Sequence, residues 1–268
     1  MKGNTRMNVL VVGATGSIGR LVVAEAIHEG HTVHALVRDP SKAKRLPPSS
    51  ALVVGDLSKP ASLTKVTEGI DAIVFTHGAN GGKAASENVD YGGVRNVLND
   101  LGARQVRIVL MTAIGVTNRA GSYNRETEVH DWKRRAERLV RASGQPYTIV
   151  RPGWFDYNAP DEHRLVLLQG DRRQAGDSSD GVIARRQIAE ILVRSLSSDQ
   201  ALRKTFELVA EHGPAQEDFD PLFARLEPDP AGALDGVHDM ANQALAEEPE
   251  RVRTDLNAMQ ARKTRNPQ

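Results

Sequence analysis

A continuous apolar run, Val9 to Val12, ends in Gly13-Ala14-Thr15-Gly16-Ser17-Ile18-Gly19 and passes directly into a segment of helical character, Ser17 to Glu29. Few folds let a strand turn into a helix through three glycines at this spacing. The first glycine permits a tight turn, the second lets the backbone approach a pyrophosphate, and the third lets helix and strand pack closely. The opening of the helix then offers unpaired N–H groups to the anion. A second run, Val33 to Val37, follows and ends about twenty residues on, which is the context such a loop needs to hold a dinucleotide. Gly13, Thr15, Gly16, Ser17, Ile18 and Gly19 are therefore cofactor-binding candidates.

The tip of the second run reads Val37-Arg38-Asp39-Pro40-Ser41-Lys42. An arginine there pairs with the 2′-phosphate of NADP, whereas an acid accepts from the ribose 2′-OH of NAD. Arg38 comes first, with Ser41 and Lys42 behind it, so NADP is expected. NAD held through Asp39 is the alternative, and Arg38 as plain solvated surface is a third.

Further runs rich in valine and isoleucine lie at Leu52 to Val54, Ala72 to Phe75, Ile108 to Met111 and Thr148 to Val150, and helical segments at Ala84 to Leu101 and Glu126 to Ser143. Gly30, Gly102 and Gly144 sit where C-caps would. Alternating runs of this kind, joined by right-handed crossovers, predict an α/β chain with a doubly wound, Rossmann-type parallel sheet buried on both faces. Its ligands belong beyond the carboxyl ends of the strands. Residues 1–212 are read as the nucleotide-binding domain with a built-in substrate region. From 213 to 268 the strand pattern stops and six of the 13 prolines crowd in, which predicts a helical C-terminal extension. Three apolar stripes mark its helices: Phe219 to Leu226, with Asp220 as N-cap and Pro221 at the first helical position, then Leu234 to Leu245, and Val252 to Met259. These helices are expected to pack on the main domain, with a cover over the site or a homo-oligomer contact as alternatives. Arg262 to Gln268 reads as a frayed end.

Composition removes several classes. The 268 residues carry 35 Lys and Arg against 34 Asp and Glu, and no cysteine. Disulfides, thiolate nucleophiles and Cys-ligated metals are excluded. A balanced charge offers no field for nucleic acid, and Arg134, Arg138 and Arg141, without interleaved aromatics, read as a solvated helix stripe. The start, Met1 to Arg6 followed by a short glycine-broken apolar run, lacks a signal or membrane-spanning segment, so a cytoplasmic protein with no membrane partner is expected. No metal site is expected: His28, His31 and His34 fall on a helix end, a turn and a strand, and are scattered. His130 and Asp131, adjacent on a helix, diverge and cannot form an orienting dyad.

Together, Gly13-x-x-Gly16-x-x-Gly19, Gly55-Asp56-Leu57, Val89-Asp90-Tyr91 with Gly93-x-x-Asn96, and Tyr147-Thr148-Ile149-Val150-Arg151-Pro152-Gly153 resemble the atypical short-chain dehydrogenase/reductase group. These are the NAD(P)H-binding proteins that include NmrA-like regulators and biliverdin reductase B-like enzymes. The resemblance spans residues 7 to 212. It implies that Asp56 and Leu57 line the adenine, that the stretch Phe75 to Ala79, with Thr76, His77 and Gly78, lies along the ribose and pyrophosphate, and that Gly153 and Trp154 lie at the nicotinamide.

The group's usual pair is Tyr-x-x-x-Lys, with tyrosine as general acid. Val129-His130-Asp131-Trp132-Lys133 keeps the lysine and replaces the tyrosine by valine. Lys133 is expected to touch the cofactor. A carbonyl reduction would then take its proton from His130, Tyr123 or water. Thr112 stands where the group has a serine and is expected to orient a small organic substrate. Trp154, Phe155 and Tyr157 form a pocket wall or part of the core. The reading is an NADP-dependent oxidoreductase acting on a carbonyl, quinone or enone. Its alternatives are a non-catalytic NmrA-like sensor and a tailoring enzyme of oxygenase type.

Overall fold

The computed structural model describes residues 6–265. Each of the six apolar runs is a strand: β1 (Asn8–Val12), β2 (Thr32–Val37), β3 (Ala51–Val54), β4 (Ala72–Phe75), β5 (Arg107–Met111) and β6 (Tyr147–Pro152). They pair in parallel in the order β3-β2-β1-β4-β5-β6. The change of direction at β1 and β4 is the switch point of a doubly wound sheet, beyond which the strand ends open a crevice.

The sheet continues past the runs seen in the sequence. After β6 come β7 (Trp154–Phe155), β8 (Arg164–Leu168), β9 (Val182–Ile183) and β10 (Lys204–Glu211). Strand β10 extends the parallel set beside β6, while β8 and β9 pair with it antiparallel. Strand β3 departs from the expected two-sided burial, because it is the edge and leaves Leu52 and Val54 exposed.

Alternate residues of β1 feed two cores. Val9 and Val11 pack with α1 (Gly19–His28), and Leu10 and Val12 face the other layer. The segment predicted from 84 to 101 consists of α2 (Lys83–Ala85), a π-helical turn (Ser86–Tyr91) and α3 (Gly92–Leu101). The segment predicted from 126 to 143 breaks at Glu128, which takes a left-handed φ of 53°, into α4 (Ser122–Thr127) and α5 (Val129–Ala142). Helix α6 (Arg185–Ser197) joins α1 on the first face.

The tail holds α7 (Asp220–Ala224) and α8 (Glu250–Arg265). Helix α7 includes Asp220 in its first turn, and the Asp220 carboxylate takes the Ser198 hydroxyl. Val252, Leu256 and Met259 of α8 enter the core with α3 and α5. This helix runs past Arg262, where fraying was expected; residues 266–268, like 1–5, lie outside the described residues.

Two expectations fail here for one reason. The stripe from Leu234 to Leu245 is irregular coil apart from a short 3-10 turn at its end, and Arg134, Arg138 and Arg141 are buried. The coil lays its acids on α5: Arg134 Nε meets Asp235 Oδ1 at 3.0 Å, Arg138 Nη1 meets Glu248 Oε1 at 2.7 Å, and Arg141 Nε meets Asp229 Oδ2 at 3.1 Å. A regular helix there could not turn all these carboxylates onto one neighbour. Inside the stripe His238 takes a left-handed φ of 66°, which a right-handed helix does not accommodate.

Candidate active site

The crevice starts at Gly13, whose φ of 86° suits glycine and whose carbonyl accepts the Gly16 N–H at 2.9 Å. A Cβ on Gly13 would lie 2.7 Å from His77 N, and one on Gly19 would overlap the Gly13 carbonyl. Both glycines are thus demanded by the close passage of loop, helix and β4. Helix α1 has no side-chain cap and no acid in its first turn, so its opening N–H groups are left for an anion. Thr15, Gly16 and Ser17 are exposed around it, while Ile18 and Gly19 are buried.

At the tip of β2 Arg38 is exposed. Asp39 turns back to accept the Ser41 N–H at 2.9 Å, and the Ser41 hydroxyl together with that N–H holds its carboxyl below the usual range. Beyond β3, Asp56 accepts from Ser58 N at 3.0 Å and Ser58 Oγ at 2.7 Å. Burial opposes its charge, but those bonds, with Lys59 and Arg38 nearby, keep its pKa low. The Leu57 carbonyl accepts from Asn96 Nδ2 at 2.8 Å, which ties this loop to α3.

Beyond β4, Thr76 Oγ1 donates to the Val12 carbonyl at 3.0 Å. His77 Nε2 lies 3.0 Å from the Val89 carbonyl, an oxygen that can only accept, so Nε2 carries the proton and Nδ1 is a bare acceptor. Burial drives this imidazole down to about 4, so it is neutral. Its Nδ1 is enclosed and has no partner among the described residues, and Asp90 Oδ2 is in the same condition. Asp90 Oδ1 accepts from Lys133 Nζ at 2.8 Å.

One pocket of about 410 Å³ joins these parts. Gly16, Ser17, Ile18, Thr76, His77 and Gly78 line one side, and Met111, Thr112, Tyr123, Val129, His130, Lys133 and Phe155 the other. The glycine loop and the predicted catalytic residues are thus brought together from about a hundred positions apart in the sequence. Arg38, Asp56, Leu57, Gly153 and Trp154 lie outside its walls. Gly153 is set by packing, since a Cβ there would overlap the Gly181 carbonyl. The Trp154 N–H donates to that carbonyl at 2.9 Å, and its half-exposed ring stands edge-on to Tyr157. Of the three aromatics, only Phe155 walls the pocket.

Thr112 lines the pocket with its proton turned inward. Its hydroxyl donates to Glu137 Oε1 at 2.7 Å, because Glu137 is buried beneath it. His130 is pushed below the usual imidazole range by burial, against which the Asp171 charge and the Asn118 backbone act. Two residues escaped the sequence reading. Asp90 stood in a family motif without a role, and Arg185 carried no signal at all. Arg185 Nε lies 3.2 Å from Ser17 Oγ, and its guanidinium sits 5.3 Å from the Phe155 ring centre, bridging the glycine loop to the far wall.

Residues 13–199 match the profile of the family described as NAD(P)H-binding. The chain belongs to this family. Its motifs and its sheet place it in the atypical short-chain dehydrogenase/reductase group. Among curated proteins it is 27% identical over 269 residues to sanguinarine reductase of Eschscholzia californica, covering 82% of this chain and 96% of the relative. It is 28% identical over 224 residues to the photosystem II assembly factor Ycf39 of Synechocystis, covering 82% and 68%. A short-chain dehydrogenase/reductase from Veillonella parvula, solved in complex with NADP, shares the fold with a TM-score of 0.59 at 16% identity, over 79% of this chain and 99% of that one.

An NAD(P)H fits the residues present. The uncapped helix α1 suits the pyrophosphate, and the enclosed, unpartnered His77 Nδ1 is an acceptor beside the same pocket. For this NAD(P)H-binding chain no helix is long and apolar enough to cross a membrane among the described residues.

Proposed function

We propose that the protein is an NADPH-preferring reductase of a small organic carbonyl, quinone or enone. The observation that carries this reading is the single pocket in which the glycine loop faces Lys133, Tyr123 and Phe155. When bound, the nicotinamide supplies the hydride, and the protein contributes position and electrostatics. The N-terminus of α1, with Thr15 and Ser17, holds the pyrophosphate. Arg38, backed by Ser41 and Lys42, pairs with a 2′-phosphate, while Asp39 is already committed to Ser41. Lys133, pinned by Asp90, steadies the nicotinamide end. Met111, Val129 and Phe155 give that end an apolar wall suited to a flat organic substrate. The name of sanguinarine reductase and the NADP in the Veillonella structure support the reading.

The experiment is a titration of the protein with NADPH and NADH side by side, followed through nicotinamide fluorescence, with quinones, enones and aldehydes added afterwards. Tighter binding of NADPH and its oxidation by a panel member are expected. A second reading, an NmrA-like sensor that binds the nucleotide and signals its redox state to a protein, is favoured by Val129 in place of an acid and by the assembly-factor relative. Tight binding without oxidation across the panel would select it.

A further inference from the structure

Reduction of a carbonyl needs a proton as well as a hydride, and the pocket's protic side chains can be taken in turn. Thr76 donates to the Val12 carbonyl at 3.0 Å, Thr112 to Glu137 at 2.7 Å, and His77 Nε2 to the Val89 carbonyl at 3.0 Å. Ser17 belongs to the glycine loop and holds Arg185. Asn80 has only an amide. Lys133 is bound to Asp90 at 2.8 Å, and Asp90 is 1% exposed; loss of the lysine's proton would strand a buried carboxylate, which is strongly unfavourable. His130 is driven towards its neutral form by burial, and its Nδ1 is enclosed away from the pocket with no partner among the described residues. Tyr123 remains. Its side chain lines the same pocket, its ring stands edge-on to His130 with centres 5.9 Å apart, it is 60% exposed, and its hydroxyl has no partner among the described residues.

We propose that Tyr123 is the proton donor of the reduction, standing on α4 in place of an acid that Val129 cannot supply. This rests on the reductase reading. As the carbon–oxygen π bond of the substrate opens, its carbon takes the hydride with both electrons from reduced nicotinamide, and its oxygen takes the proton of the Tyr123 hydroxyl. The products are an alcohol, oxidised nicotinamide and a tyrosinate. Water returns a proton to the tyrosinate, which its exposure allows. The contact with His130 holds the ring at the mouth of the pocket without withdrawing the hydroxyl from the substrate.

The test is Tyr123→Phe in the full-length protein, with Tyr157→Phe as a control, since Tyr157 is exposed but lies outside the pocket. Turnover, the solvent deuterium isotope effect and the Kd for NADPH are measured for each. Tyr123→Phe is expected to lower kcat about 100-fold and leave the Kd within about twofold, while the control matches the parent. A kcat within about threefold of the parent, with the isotope effect unchanged, would assign the proton to water and overturn the proposal while the reductase reading stands. A weakened Kd that accounts for the whole loss would make Tyr123 a binding residue and overturn it too. If the parent oxidises NADPH with no panel member, the reductase reading falls and the proposal falls with it.

Discussion

Arg151 Nη2 donates to Glu137 Oε2 at 2.7 Å, and neither side chain has any exposed surface. Arg151 also reaches Asp239 at 2.7 Å, so the end of β6 is tied both to α5 and to the coil that precedes α8. Burial works against the guanidinium charge, but Glu137 and Asp239 outweigh it and hold its pKa well above the ordinary value. Removing one partner from such a pair leaves uncompensated charge indoors. Arg151→Met should therefore cost about 3–5 kcal/mol of unfolding free energy. Urea denaturation reads this directly, and a loss under about 1 kcal/mol would mean the network adds no more than an exposed pair.

Glu207 on β10 stands in the same cluster and fares differently. It is 3.3 Å from Arg151, which Glu137 and Asp239 hold more closely, and Asp171 and Asp239 repel its charge. Burial is the main cause that lifts its carboxyl to about 8. The folded form then binds a proton that the unfolded chain releases, so this group weakens the fold as pH rises from the ordinary glutamate range towards 8, by about 1.4 kcal/mol for each unit of the rise. Glu207→Gln keeps an acceptor for the Asp171 N–H and cannot ionise. Its stability relative to the parent should improve from pH 5 to pH 8. Thermal unfolding at both values checks the sign, and a constant difference would remove the titration from Glu207.

Five of the six parallel strands were readable because buried strands of a doubly wound sheet are apolar on both sides, β3 because it is apolar even at the exposed edge, and the glycine loop because each glycine meets a local steric demand. The arginines of α5 were misread for a reason in physics. A helix pattern assigns charges to water unless partners are known, and Asp229, Asp235 and Glu248 lie about a hundred residues on, in coil with no period to read. Strand β10 was hidden in the same way, since Lys204 and Glu207 interrupt its apolar run yet are buried. In the site, Gly16 and Lys133 could be named from motifs. The Thr112–Glu137 bond and the Ser17–Arg185 contact depend on chain paths that no local spacing encodes.

Arg38 is expected to discriminate between the two nucleotides. It is exposed at the end of β2, and no hydrogen bond or ion pair holds it among the described residues. A charged hydrogen bond to a phosphate is worth about 1.5–3 kcal/mol, so Arg38→Ala should weaken NADPH by roughly tenfold or more and leave NADH nearly unchanged. Parallel fluorescence titrations decide it. Equal losses would show that the arginine does not meet the 2′-phosphate.

Lys133 and Asp90 have to be tested as a pair, because the lysine has a structural and a functional claim on it. Lys133→Met alone leaves Asp90, a carboxylate 1% exposed, with only the Ala79 N–H at 3.4 Å, so it should unfold earlier as well as lose function. Asp90→Asn combined with Lys133→Met removes both charges and should recover much of the lost melting temperature, since an absent pair costs less than a broken one. If Lys133 serves only the fold, the double variant regains parental NADPH affinity and turnover. If it steadies the nicotinamide end, affinity or turnover stays about tenfold or more below the parent in a protein that melts normally. Melting curves and nucleotide titrations on the same three proteins separate the two roles, and parental kinetics in the double variant would end the assignment of Lys133 to the cofactor.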